Sequence, residues 1–174
     1  MGSKHLNPIT YNEERGSAQC KSSVIFGAMK VNGTSIIKAK KSRNHTELLC
    51  KYLKLPIYVK TKKNYDEIKV KKVNKIKPLN YSIPSDISSS AFFIVLTALC
   101  ENSQLTIKNV NINPSRTGII TILKKMGVRI VLKNKKIYKG EIKSDILVRS
   151  TKKLRAINCP TKLNSGAIDE FLVI

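Results

Sequence analysis

The stretch Gly33-Thr34-Ser35-Ile36-Ile37-Lys38 returns 70 residues later as Ser103-Gln104-Leu105-Thr106-Ile107-Lys108, and this internal repeat decides the fold of the 174-residue chain. Past Lys40 the best shift becomes 73, and Ser42-Arg43 then falls on Ser115-Arg116. Both copies predict one order of elements: a polar turn, an apolar helix, a short strand, a Ser-Arg turn, a second helix, a strand and a basic hairpin. Because helices and strands alternate, the sequence predicts the α/β class.

Hydrophobic periodicity supports that order in the second copy. Residues 89–100 begin polar and are then apolar nearly all round, which predicts a buried helix. Residues 105–110 alternate with period two, as a half-buried strand does. Residues 117–126 place their apolar side chains on one helical face, and Gly127 stands where that helix would end.

The first helix of the first copy begins with the polar segment Gly16-Ser17-Ala18-Gln19-Cys20-Lys21-Ser22-Ser23. Ser17 is a candidate N-cap. Unpaired backbone N–H groups and the positive end of the helix dipole meet at such a start, which suits a phosphate or a carboxylate. The alternative interpretation is an ordinary helix cap with no ligand.

A third copy of the repeat is predicted to begin near Ile157. Residues 168–174 again place polar side chains at the head of an apolar run, and the sequence then stops without a C-cap. We therefore expect this sequence to be a truncated part of a longer one.

Five segments resemble, in order, the middle of bacterial 3-phosphoshikimate 1-carboxyvinyltransferases (EPSP synthases) of the class II type, which carry a Ser-Ala-Gln motif. Two positions depart from the family pattern: Ser85 stands where Gly is usual, so a turn that needs a positive φ would be strained there, and Asn44 stands where Asp is usual. The five segments are Ser17-Ala18-Gln19-Cys20-Lys21-Ser22, Lys41-Ser42-Arg43-Asn44-His45-Thr46-Glu47, Ile83-Pro84-Ser85-Asp86-Ile87-Ser88-Ser89-Ser90-Ala91-Phe92-Phe93, Asn113-Pro114-Ser115-Arg116-Thr117-Gly118 and Ile168-Asp169-Glu170-Phe171.

The resemblance implies an architecture of two domains. Each domain contains three βαβαββ units, with helices inside and sheets outside, in an inside-out α/β barrel. By that analogy residues 1–83 belong to the first domain, and residues 84–174 belong to the second domain and are truncated in its next repeat.

The resemblance also implies a reaction and its residues. The family transfers the enolpyruvyl group of phosphoenolpyruvate to the 5-hydroxyl of shikimate 3-phosphate and releases phosphate, in the biosynthesis of chorismate and the aromatic amino acids. Ser17, Ala18 and Arg43 match residues that bind shikimate 3-phosphate. Gln19 matches a residue that contacts both substrates, and Asp169 matches the general base that takes the hydroxyl proton. The resemblance implies no cofactor and no metal.

Simpler interpretations exist for the same residues. Gln19 is typical of a solvated first turn, and Arg43 could pair with Glu47 four residues later. Asp169 suits any helix start because of the helix dipole. Arg116, the repeat partner of Arg43, is expected to be structural.

Composition suggests a second class of function. The net charge is +22 and the pI is about 10.0, values common among nucleic-acid-binding proteins. However, 27 of the 33 basic residues are Lys and are scattered, no Trp is present, and aromatic residues do not interleave with Arg. We therefore expect no specific nucleic-acid partner. The cluster Lys133-Asn134-Lys135-Lys136 is predicted to be a solvated sheet edge.

Cysteine usage and hydropathy bear on the compartment. The four cysteines are widely spaced without a CxxC motif, which indicates buried free thiols in a reducing cytoplasm. No apolar run reaches the roughly 18–20 residues of a membrane span, so no membrane partner is expected.

Two alternatives to EPSP synthase remain open from the sequence. One is the enolpyruvyl transferase that acts on UDP-N-acetylglucosamine, and the other is a basic non-catalytic nucleic-acid-binding domain. The family's N-terminal Lys-Ser…Arg motif, its Asn-Gly loop and its C-terminal Lys-Glu-Ser-Asp-Arg segment do not occur here. We therefore expect the isolated chain to be inactive, and the full-length protein to be a monomer.

Overall fold

The computed structural model describes residues 5–174, without the side chain of Lys162. The chain forms two compact units, one ending at Asn80 and the other beginning at Tyr81. Each unit has its own sheet and its own hydrophobic core.

The first unit contains a complete βαβαββ motif. Its elements are β1 (Thr10–Glu13), α1 (Ala18–Ala28), β2 (Thr34–Lys40), α2 (His45–Tyr52), β3 (Ile57–Thr61) and β4 (Tyr65–Lys71). The sheet order is β1-β2-β4-β3, with β1 parallel to β2 and the other pairs antiparallel. Ile25, Ile37 and Ile68 are fully buried between the helices and this sheet.

The second unit repeats that order. Its elements are α3 (Ile87–Leu99), β5 (Gln104–Asn111), α4 (Gly118–Lys125), β6 (Arg129–Tyr138) and β7 (Glu141–Arg149), in an antiparallel sheet of order β5-β7-β6. Ile94, Ile119 and Ile146 lie fully buried in its core. The predicted α/β class and the repeated order of elements are confirmed.

A single bridge replaces the first strand in the second unit. Ser85 pairs with Val110 in parallel, at the place where β1 pairs with β2 in the first unit. The Ser85 N–H donates to the Asn109 carbonyl (2.9 Å), and the Asn111 N–H donates to the Ser85 carbonyl (2.9 Å). The backbone of Ser85 does not have a positive φ, so the predicted strain at this position was wrong.

The faces of the two helices in the second unit differ. On α4, Ile119, Ile120, Ile122 and Leu123 are buried, and Gly127 follows with φ +102°, as the sequence predicts. Helix α3 was predicted to be buried all round, which is wrong. Its side chains at Phe92, Phe93, Leu96 and Leu99 are each 58–61% exposed, because the sheet of its own unit covers the opposite face.

The beginning of the third copy does not form an α-helix in this chain. Two short 3-10 helices, Thr161–Gly166 and Ile168–Glu170, stand where a helix start was expected. The first packs closely on the start of α4: a Cβ added to Gly118 would lie 2.8 Å from the Gly166 carbonyl oxygen. Glu170 is buried, whereas Leu172 is fully exposed.

The carboxylate of Asp145, on the central strand β7, holds two bulges in the second sheet. Asn109 and Asn134 both have a positive φ, at register shifts on either side of β7. The Asp145 carboxylate accepts bonds from the Asn109 N–H (2.9 Å), Asn134 Nδ2 (2.8 Å) and Lys108 Nζ (3.0 Å). These donors, led by the Asn109 N–H, lower the pKa of Asp145 from 3.8 to about 2.

The basic edge strand and the helix lengths complete the fold. Lys133, Lys135 and Lys136 are exposed on β6, which lies at the edge of its sheet, as predicted. Within residues 5–174, the helices are too short or too polar to cross a membrane.

Candidate functional site

The start of α1 presents hydrogen-bond donors to solvent. The Ser17 hydroxyl oxygen accepts a bond from the Cys20 N–H (3.2 Å), and the Ser17 carbonyl accepts one from the Lys21 N–H (3.1 Å). The N–H groups of Ala18 and Gln19 have no helical carbonyl four residues earlier to bond. They point out of the N-terminus, where the helix dipole favours an anion. The predicted N-cap at Ser17 is confirmed.

A buried carboxylate fixes the loop that leads to Ser17. Glu13 is only 3% exposed, and its two oxygens accept the N–H groups of Arg15 (2.9 Å) and Gly16 (2.8 Å). Gly16 has φ +74°, a conformation that costs glycine little. Glu13 was not among the residues predicted from the sequence, because a Glu at the end of a strand gives no signal that its side chain will bond to the next loop.

The turn that carries Arg43 lies against this helix start. A Cβ added to Gly16 would lie 3.8 Å from the Lys41 carbonyl oxygen. Lys21 Nζ donates to the Arg43 carbonyl (2.8 Å), and the hydroxyl oxygens of Ser22 and Thr46 are 2.7 Å apart. The structure therefore brings Ser17, Ala18 and Gln19 beside the turn that carries Arg43.

A buried ion pair lies below this pair of elements. Lys21 Nζ is 2.6 Å from Glu47 Oε1, and the two side chains are only 1% and 6% exposed. The sequence allowed a pair between Arg43 and Glu47 as a simpler alternative, and in the structure Glu47 forms an ion pair with Lys21 on the other helix. The available signal was the spacing of Lys21, Ile25 and Ala28, which places a lysine on the buried stripe of α1.

Asp169 lies in the second unit, within a cluster around Arg116. The guanidinium of Arg116 lies 3.3 Å from Asp86 Oδ1 and 3.8 Å from Asp169 Oδ2. It also donates to the Ser88 hydroxyl, which in turn donates to Glu170. Asp169 itself is half exposed. Arg116 was expected to be structural, and its side chain contacts the predicted general base, Asp169.

The two repeats use equivalent positions differently. Asp86 caps α3 and Ser17 caps α1, while Arg116 and Arg43 each stand two residues before the second helix of their unit. In the second unit the cap supplies a carboxylate for the arginine. In the first unit the cap is a neutral hydroxyl, so the corresponding place suits an anion from outside the chain.

The four cysteines differ in burial, and Cys20 contributes its backbone N–H to the cap of α1. Cys50 is buried. Its burial and, to a smaller extent, the negative charge of Glu47 raise the pKa of its thiol to about 11, so it is a poor nucleophile. Cys20 and Cys100 are exposed and Cys159 is half-buried, so the expectation of buried thiols holds only for Cys50. In the described part of the chain, no three His, Cys, Asp or Glu side chains come together to hold a metal ion.

Comparison with known proteins identifies the family. The model of the family EPSP synthase (3-phosphoshikimate 1-carboxyvinyltransferase) matches residues 1–169. The chain belongs to the EPSP synthase family. It is 45% identical over 151 residues to 3-phosphoshikimate 1-carboxyvinyltransferase of Caldicellulosiruptor saccharolyticus, covering 86% of this chain and 35% of that protein. It is 40% identical to the enzyme of the same name from Caldicellulosiruptor bescii, covering 99% of this chain and 40% of that protein.

Solved structures agree with this family assignment. EPSP synthase from Acinetobacter baumannii superposes with a TM-score of 0.84 at 35% identity, covering 98% of this chain and 38% of that structure. The enolpyruvyl transferase NikO from Streptomyces tendae, with a TM-score of 0.60 at 14% identity over 88% of this chain and 37% of that chain, shares the fold alone. The predicted family and the EPSP synthase-like inside-out α/β fold are confirmed, and neither alternative function is favoured. This EPSP synthase family chain spans 35–40% of the length of the two Caldicellulosiruptor relatives.

Proposed function

We propose that this chain carries the shikimate 3-phosphate site and the general base of an EPSP synthase. In that reaction the 5-hydroxyl oxygen of shikimate 3-phosphate attacks C2 of phosphoenolpyruvate. The hydroxyl proton goes to a base and the methylene carbon C3 of phosphoenolpyruvate gains a proton, which gives a tetrahedral intermediate. That intermediate then loses phosphate from C2 and one proton from C3 to give 5-enolpyruvylshikimate 3-phosphate. The observation that carries the proposal is the start of α1, held beside the Arg43 turn, in a member of this family.

The donors at the start of α1 fit the phosphate of shikimate 3-phosphate. The Ser17 oxygen already accepts from the Cys20 N–H, so its own hydrogen is available to donate to a phosphate oxygen. The N–H of Ala18 adds a donor, and Arg43 adds a planar guanidinium that binds phosphate through two bonds. A hydroxyl, a backbone N–H and a guanidinium are the three kinds of donor that we assign to this phosphate.

Gln19 suits a position between two anionic substrates. Its side chain is exposed at the head of α1. A neutral amide can donate to shikimate 3-phosphate and to the carboxylate or phosphate of phosphoenolpyruvate without adding a charge. Such fixed donors stabilise charge that develops in the transition state.

Asp169 suits the role of general base. The guanidinium of Arg116 lies 3.8 Å from its carboxylate, and a carboxylate at a defined place beside a substrate hydroxyl can accept its proton. Ser88 donates to the neighbouring Glu170, which is buried, whereas the side chain of Asp169 is 49% exposed.

The two structural units support a division between two enolpyruvyl transferase domains. The division that we propose assigns residues 1–83 to the first domain and residues 84–174 to the second. The contact-based boundary between Asn80 and Tyr81 lies close to that position, and Ile83 is 86% exposed. A cytoplasmic location and a monomeric full-length enzyme stay predictions.

Binding of shikimate 3-phosphate to the 174-residue chain tests the proposal. We expect ³¹P NMR titration to show saturable binding at physiological salt, where the Debye length of about 8 Å suppresses weak surface contacts. Arg43→Met is expected to weaken binding by about 10-fold or more, because a charge-assisted bond to phosphate is lost.

The matched control is Arg129→Met, an exposed arginine on β6 of the other unit. It removes the same charge and should leave the affinity unchanged. Equal weakening by both variants would indicate that the net charge of +22 alone attracts the ligand. That outcome, or the lack of saturable binding, contradicts the proposed site.

A further inference from the structure

The ion pair of Lys21 and Glu47 joins the two halves of the proposed phosphate site. Lys21 lies four residues after the cap Ser17 on α1, and Glu47 lies four residues after Arg43 on α2. Lys21 Nζ reaches both Glu47 Oε1 (2.6 Å) and the Arg43 carbonyl (2.8 Å). One buried ammonium therefore contacts the backbone of the residue that is proposed to grip the phosphate.

Burying the ion pair of Lys21 and Glu47 costs free energy, so its presence points to a role beyond packing. Removing two charges from water is expensive, and well-packed apolar residues often replace a buried ion pair without loss of stability. Glu47 Oε2 is buried and has no hydrogen-bond partner among the described residues, so the desolvation of this carboxylate is incompletely offset.

The second repeat shows that the fold does not need the pair. Counted from the helix caps, Ser90 takes the position of Lys21, and Ile120 takes the position of Glu47. Both are buried, and among the described residues the Ser90 hydroxyl donates back to the carbonyl of Asp86, the cap of its own helix. The same supersecondary unit thus packs this interface without an ion pair.

The ion pair occurs in the repeat that is proposed to bind the phosphate, and the arginines of the two repeats are held differently. In the second unit the Arg116 side chain is held by the fixed carboxylates of Asp86 and Asp169. In the first unit the cap is a neutral serine, and Lys21 instead holds the backbone of Arg43 from below. The network occurs in the repeat that must orient its arginine toward an incoming anion.

We propose that Lys21, supported by Glu47, is a positioning residue that orients Arg43 toward the phosphate held at Ser17. This inference rests on the proposed function. Lys21 does not touch the ligand. It fixes the Arg43 carbonyl, so that the guanidinium starts from a defined backbone position and less conformational entropy is lost on binding. Glu47 keeps the ammonium in place and neutralises it in the interior.

The test compares wild type with Lys21→Met/Glu47→Leu in the full 174-residue chain. The double variant removes one positive and one negative charge, so the net charge stays at +22. We expect it to melt no lower than Lys21→Met alone, which leaves Glu47 buried without its counter-ion. We expect its dissociation constant for shikimate 3-phosphate to rise about 10- to 100-fold, as misplacement of a binding group does.

A site-specific NMR signal separates positioning from general stability. In wild type, shikimate 3-phosphate should shift both the Gln19 amide and the Arg43 side-chain Nε–Hε resonance. In the folded double variant at saturating ligand, the Gln19 amide should still shift while the Arg43 signal stays close to its free position. Lys51→Met, which removes an exposed lysine from α2, should behave as wild type.

The outcomes are distinguishable. If wild type shows no shift at Gln19 or Arg43, the proposed phosphate site fails, and the positioning role fails with it. If wild type binds, and the double variant binds with the same affinity and the same Arg43 shift, only the positioning role is overturned. A double variant that is unfolded by circular dichroism also contradicts it, because the pair would then be required for the fold.

Discussion

At the scale of single residues, short polar contacts define this site more than its charge does. Ser17 caps α1, Glu13 holds the preceding loop, and Lys21 holds the following turn. Each is one or two hydrogen bonds at a place where the chain changes direction. The chain carries a net charge of +22, but these three contacts involve only one of its 27 lysines.

Substitutions of Ser17 should distinguish its role as a helix cap from its role in binding the ligand. In Ser17→Ala, losing the bond to the Cys20 N–H is expected to lower the free energy of unfolding by about 1 kcal/mol. Ser17→Asp should restore most of that stability, since Asp is a good cap, but it should abolish binding of shikimate 3-phosphate by repelling the phosphate. Urea unfolding and ³¹P NMR titration measure the two effects. Tight binding by Ser17→Asp would place the phosphate elsewhere.

Asp145 should make the stability of the chain depend on pH in acid. Its folded pKa of about 2 lies below its ordinary 3.8, so its stabilising contribution is complete above pH 3.8 and is lost as the pH falls toward 2. Asp145→Asn should therefore be less stable than wild type at neutral pH, and the difference should shrink between about pH 4 and pH 2. Urea unfolding at several pH values measures it. A difference that stays constant would contradict the assigned bonds to Asn109 and Asn134.

At the scale of elements, the distance to neighbouring backbone determines which helical glycines can be replaced by a larger residue. Gly27 and Gly118 are both helical glycines, but their surroundings differ. A Cβ at Gly27 would meet nothing within 4 Å, whereas a Cβ at Gly118 would lie 2.8 Å from both the Gly166 carbonyl oxygen and the Ala167 Cβ. The start of α4 and the 3-10 helix Thr161–Gly166 therefore pack backbone to backbone, which is possible because Gly118 has no side chain.

The two glycines give opposite predictions for one substitution. Gly27→Ala should raise the free energy of unfolding by about 0.5–1 kcal/mol, because alanine is the better helix former and nothing obstructs it. Gly118→Ala should lower it by about 1–3 kcal/mol through overpacking. Chemical denaturation of both variants tests this. Two stabilising effects would show that the segment around Gly166 moves away without cost.

At the scale of the whole molecule, this chain carries only some of the motifs that we expect the reaction of its family to need. It spans 35–40% of the length of the two Caldicellulosiruptor relatives. The family motifs expected to contact phosphoenolpyruvate are not in this sequence. We predict that the purified 174-residue chain binds shikimate 3-phosphate but releases no phosphate from phosphoenolpyruvate. A coupled phosphate assay measures this, and turnover above the buffer rate would refute it.

The sequence by itself determined the repeat, the α/β class, the cap at Ser17 and the family, because these depend on local pattern and on motifs in order. Only the tertiary structure decided which polar side chains meet. Lys21 and Glu47 are 26 residues apart, and Arg116 and Asp169 are 53 residues apart, so neither pair is visible in local periodicity. The burial of α3 also depended on the tertiary structure, since an apolar helix is covered only where another element packs on it.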